Sequence, residues 1–91
     1  MDVTYTVVLR PEPEGEFTVK VPALPGCFSR GHTVIESLQH AEEAIACYLG
    51  SLRKHGEAIP REGDTITIST ENLTEALVYR VRVVVEEAQV A

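Results

Sequence analysis

Long apolar runs are missing from this chain, and no stretch approaches the ~20 residues that a membrane-spanning helix needs. The first residues, Met1, Asp2, Val3 and Thr4, lack a positive region followed by an apolar one. No secretory signal is therefore expected, and the expected location is the cytoplasm. Cysteine is scarce. Cys27 and Cys47 make one pair in a chain without an export signal, which is no disulfide framework. Both are expected to pack as small hydrophobes. His32, His40 and His55 are scattered, so no metal-ligand spacing emerges and neither metal nor cofactor is expected. Cations are few: eight Lys and Arg against fourteen Asp and Glu give a formal net charge of −6. That balance repels phosphates at long range and argues against direct nucleic-acid binding. It is compatible with a basic protein partner, and equally with nothing more than solubility.

Catalytic signatures are also missing. There is no Gly-rich phosphate loop, no His-Glu-x-x-His and no Gly-x-Ser-x-Gly. Carboxylates are plentiful, but they fall in a loop (Glu12, Glu14, Glu16), on a helix surface (Glu42, Glu43) and near the C-terminus (Glu86, Glu87). Two-metal chemistry needs acids that converge from strand interiors, where this chain has Thr, Val, Ile and Tyr. His32 can serve as a base or ligand, but no Cys, Asp or Ser stands beside it, which favours a bystander. Phe28 and Tyr5 are expected in the core rather than in an exposed aromatic patch.

What is present is organised around one segment. Val34, Ile35, Leu38, Ala41, Ile45, Tyr48, Leu49 and Leu52 recur at gaps of three and four, one stripe of an α-helix. Glu36, Gln39, His40, Glu43, Arg53 and Lys54 form the opposite, solvated side. Thr33 and Glu36 have capping-box spacing, in which each side chain accepts from the other's backbone N–H. Arg53, Lys54 and His55 suit the negative end of the helix dipole, Gly56 suits the stop, and Pro60 forbids a restart. Gly50, inside the helix, is expected to admit a close-packed backbone.

The rest alternates with period two. Val3, Tyr5, Val7 and Leu9 share one face of a first strand, and Phe17, Val19 and Val21 one face of a second. Between them the acidic, proline-broken stretch 10–16 predicts a hairpin with an extended tip. Pro22 ends the second strand, and Pro25-Gly26 suits a type II turn. Residues 27–30 are a short third strand and 65–69 another. The polar stretch 70–76 is ambiguous, with Asn72 or Thr74 able to cap one turn. Residues 77–85 alternate longest, with Leu77, Tyr79, Val81, Val83 and Val85 on one face. Such a strand is hazardous on a bare edge. It is expected to be paired, in part with another subunit, which makes those five residues a candidate oligomer interface. There is no repeat, low-complexity tract or linker in the 91 residues. The reading is one α+β domain: an antiparallel sheet of three to four strands plus a long C-terminal strand, covered on one face by a single long helix.

Several motifs then fall in order. They are Tyr5; the run Val21, Pro22, Ala23, Leu24, Pro25, Gly26, Cys27; Gly31, His32, Thr33; Glu43, Ala44, Ile45 with Tyr48, Leu49; and Ile59, Pro60. Over about residues 4–62 the chain resembles the HicB-like antitoxins of HicA–HicB toxin–antitoxin pairs. The resemblance implies a partial RNase H-like fold in which Pro22, Leu24, Pro25, Gly26, Cys27, Gly31, Thr33 and Glu36 are structural. It implies binding to HicA, a small basic ribonuclease that cleaves mRNA, by masking its active-site histidine. The position of His32 is commonly acidic in that family, so His32 inherits no role. Full antitoxins usually continue into a helix-turn-helix or ribbon-helix-helix DNA-binding module. Here residues 63–91 read as a strand-rich extension, and no such module is expected. Three functional readings follow: a non-enzymatic antitoxin with Glu12, Glu14 and Glu16 as the toxin-facing surface; a solitary structural oligomer without a toxin; and a vestigial metal-dependent nuclease.

Overall fold

The structure, a computed structural model, describes residues 2–63 and 75–85. Among them the chain runs β1 (Asp2–Pro11), β2 (Phe17–Lys20), β3 (Phe28–Gly31), α1 (Val34–Lys54) and β4 (Leu77–Val84). The strands form one antiparallel sheet in the order β3-β2-β1-β4. The expected strand at 65–69, and the stretch 70–76 apart from Glu75 and Ala76, lie outside the described residues.

Register fixes which side chains meet the helix. Leu9 stands opposite Val19 and Leu77, Val7 opposite Tyr79, Tyr5 opposite Val81, and Val3 opposite Val83. These odd-numbered residues face α1 and pack with Ala41, Ile45 and Leu49, each fully buried. Burying a side chain of that size contributes about 1.5–3 kcal/mol. Leu24 and Cys27, in the turn before β3, close one end of the same core. β1 is central, so its outward Thr6 and Val8 are buried as well.

The N-terminal cap forms with one difference. Glu36 N–H donates to Thr33 Oγ1 at 3.0 Å, but the Glu36 carboxylate accepts from His32 N–H at 3.1 Å rather than from Thr33. The C-terminus closes as a Schellman motif. Glu57 N–H reaches Leu52 O at 2.8 Å, Gly56 N–H reaches Arg53 O at 3.1 Å, and Gly56 has φ 70.

Five expectations are corrected. Ile35 is 71% exposed. It follows Val34 by ~100° of helix rotation and leaves the stripe, where Ser37 is buried instead. Ser37 suits that place because its hydroxyl donates to Thr33 O at 2.7 Å and Gly31 lies against it. A Cβ on Gly31 would stand 2.4 Å from Ser37 Oγ and 2.6 Å from Ser37 N. Gly31, not Gly50, is therefore the site of close approach; a Cβ on Gly50 would meet nothing within 4 Å. Cys27 is buried but Cys47 is exposed, since it points away from the sheet. Phe28 is 62% exposed because β3 turns its even-numbered residues outward. His40 is not merely solvated: its Nδ1 lies 2.5 Å from Arg30 O, at the outer edge of β3.

Candidate functional site

The hairpin tip between β1 and β2 is closed tightly. Glu12 N–H donates to Glu16 O at 2.8 Å and Gly15 N–H to Glu12 O at 3.0 Å, with Gly15 at φ 92. Its three carboxylates differ. Glu12 pairs with Arg10 at 3.3 Å. Glu16 lies 3.4 Å from His32 Nε2, and the other ring nitrogen of His32 lies 3.3 Å from Glu36. Glu14 is exposed and makes no ion pair among the described residues. His32 thus ties the acidic tip to the start of α1. Its backbone N–H, and then its ring, hold the Glu36 carboxyl below the usual carboxylate range.

The proline-rich turn seats the helix. Cys27 N–H donates to Leu24 O at 3.0 Å, and Gly26 at φ 83 takes the type II position. Leu24 N–H donates to Val21 O at 3.0 Å, bending the chain away from β1 after Pro22. Burial, and then the nearness of Cys47, push the Cys27 thiol up.

Where β2 bends away, β1 would be left with unpaired backbone. Residues 60–62 fill that place. Tyr5 Oη donates to Pro60 O at 2.5 Å. The Glu62 carboxylate accepts from Thr6 N–H and, at 3.1 Å, from the Thr6 hydroxyl. Burial first, and then Glu62, raise the Tyr5 hydroxyl above its ordinary pKa, opposed by Arg61. Glu62 was not legible as a partner, since fifty-six positions separate it from Thr6.

β4 pairs with β1 over its whole length, from Leu77 opposite Leu9 to Val84 opposite Asp2. The alternating face of Leu77, Tyr79, Val81, Val83 and Val85 packs on the chain's own core. The residues β4 turns outward are Val78, Arg80, Arg82 and Val84. Among the described residues no group of three or more His, Cys, Asp and Glu is placed to hold a metal ion, and no helix is long and apolar enough to cross a membrane.

Residues 5–90 match the family model of HicB-like antitoxins of bacterial toxin–antitoxin systems. The chain belongs to this HicB-like antitoxin family. A UPF0150 protein of Thermoplasma acidophilum is 48% identical over 65 residues, 70% of this chain and 94% of that one. Another, from Synechocystis, is 40% identical over 58 residues, 64% of this chain and 73% of that one. Among solved structures, the N-terminal domain of Burkholderia pseudomallei antitoxin HicB superposes with TM-score 0.66 at 22% identity, over 87% of this chain and 95% of that one. A chain of a toxin–antitoxin complex from Streptococcus pneumoniae superposes with TM-score 0.77 at 15% identity, over 98% of this chain and 76% of that one. At those identities the superpositions establish a shared α+β fold. In this HicB-like chain Leu24 and Cys27 lie in the core with α1, Gly31 lies against Ser37 of α1, and Thr33 caps that helix.

Proposed function

We propose that this chain is the antitoxin of a toxin–antitoxin pair. It binds a small basic ribonuclease of the HicA type and masks its active site, acting as a protein ligand rather than an enzyme. The family match over residues 5–90 carries this reading. The superposition on a chain of a toxin–antitoxin complex supports it, as does the anionic tip of Glu12, Glu14 and Glu16. An acidic tip suits approach to a cationic cleft, and such pairing acts mainly on the association rate. Co-expression with the product of a neighbouring small basic reading frame is expected to give a co-purifying complex. Absence of a complex at micromolar concentration with every HicA-type protein of the same genome overturns the reading. Glu14→Lys is expected to slow association at low ionic strength, with the difference fading as salt rises. Glu12 and Glu16 are engaged by Arg10 and His32, so their charge reversal mixes folding with binding.

Self-association is a second reading. Its support is the eight-residue strand β4, which stands at the edge of the sheet among the described residues and whose outward Val78 and Val84 are 57% and 63% exposed. A second copy would meet the backbone edge and these valines, since the Leu77 and Tyr79 face packs inward. Light scattering at about 10 µM separates dimer from monomer, and a monomer removes this reading.

A further inference from the structure

The face of the sheet opposite α1 gathers most of the chain's positive charge. Five of the eight Lys and Arg residues stand on it: Arg10, Lys20, Arg30, Arg80 and Arg82. Register places them. Thr18 lies opposite both Arg10 and Arg30, Lys20 lies opposite Val8 and Phe28, Arg80 opposite Thr6 and Arg82 opposite Thr4. All five are exposed. Among the described residues three acids reach the same face. Asp2 is 3.8 Å from Arg82, Glu12 is 3.3 Å from Arg10, and Glu62 is held by Thr6. Arg30 and Arg80 make no ion pair with the described residues, and the Lys20 ammonium lies 5.8 Å from the centre of the Phe28 ring.

We propose that this face binds single-stranded RNA, with the phosphates on Arg30, Arg80, Arg82 and Lys20 and one base stacked on Phe28. Charge complementarity identifies a polyanion. The net charge of −6 opposes it only at a distance, because charges more than about 8–10 Å away are screened at physiological salt. The exposed ring favours a nucleic acid over an acidic peptide, since every base has a face to stack. A flat sheet face accepts a strand with splayed bases, while a duplex hides its bases. Thr4, opposite Arg82, offers a hydroxyl to the ribose 2′-OH that DNA lacks. This surface is separate from the acidic tip, so its failure leaves the antitoxin reading untouched.

The test is fluorescence anisotropy of the full chain with a labelled single-stranded RNA of about 12 nucleotides, repeated with single-stranded DNA, duplex RNA and polyglutamate. Single-stranded RNA is expected to bind most tightly. Its log affinity should fall against log salt with a slope of about −2 to −3, the value for three or four phosphates on a single strand. R80E/R82E should weaken binding at least about tenfold, and Phe28→Ala at least about fivefold. Lys54→Glu, at the end of α1, should change it less than about twofold. Circular dichroism confirms that each variant is folded, and the salt slope of the unaltered chain tests the proposal without any variant. No binding of the RNA at about 100 µM overturns the proposal. So does equal binding of DNA, duplex or polyglutamate, or equal loss on Lys54→Glu.

Discussion

The two faces of the sheet are made from alternate residues of the same four strands, yet they meet different surroundings. On the inner face Tyr5, Val7, Leu9, Val19 and Val83 press on α1 and are almost wholly buried. On the outer face their immediate neighbours include Arg10, Lys20, Arg82 and Val84, all exposed. A strand with period two sends adjacent residues to opposite sides, so a single pairing register sorts apolar from charged. The lesson is that charge on the strands is segregated by parity.

The sharpest way to break the comparison is to empty the inner face. Leu49→Ala removes a fully buried side chain of α1 and should cost about 2–5 kcal/mol, read as a lowered urea midpoint at unchanged slope. Next comes the joint between sheet and helix. Gly31→Ala drives a Cβ against the backbone of Ser37, 2.6 Å from its nitrogen, and should cost about 1–3 kcal/mol. Gly50→Ala should instead stabilise by up to about 1 kcal/mol, since a Cβ there meets nothing within 4 Å. Thermal unfolding of the two glycine variants should therefore shift in opposite directions.

Smaller effects sharpen it. Thr33→Ala removes the acceptor of the Glu36 N–H and should cost about 1 kcal/mol in chemical unfolding. The Glu36 carboxyl is lowered in the folded chain, so the stability it contributes is present above the ordinary carboxylate pKa of 4.5 and is lost as pH falls through the folded value. Glu36→Gln should flatten the acid limb of the stability profile below about pH 4.5 and lower stability at neutral pH, where the charged carboxylate contributes. The smallest change belongs to the outer face. Val84→Thr, at an exposed position, should alter stability by less than about 0.5 kcal/mol.

Legibility followed the range of the interaction. The helix, its C-terminal stop, the Thr33 half of its N-terminal cap, the hairpin and the type II turn were readable because each rests on residues within a few positions, such as Thr33 with Glu36 or Pro25 with Gly26; the Glu36 carboxylate turned to His32 N–H instead of Thr33. The family was readable from the turn around Leu24 and Cys27. Ile35, Cys47 and Gly50 misled because hydrophobic type or size alone does not set the angle of a residue on a helix relative to the sheet. Phe28 misled because β3 is four residues long, too short for alternation to show its phase. The acidic tip was visible as composition, but its ties through Arg10 and His32 were not.

The sequence by itself determined the described helix and strands and the Thr33 cap, because hydrogen bonds between near neighbours and the periods 3.6 and 2 are local properties. Tertiary structure alone decided that β4 lies beside β1, that Glu62 fills the gap where β2 turns off, and that five cations share one surface. These depend on which distant backbones pair and in which register. That choice is made by burial of the whole inner face at once, a sum over residues far apart in the chain.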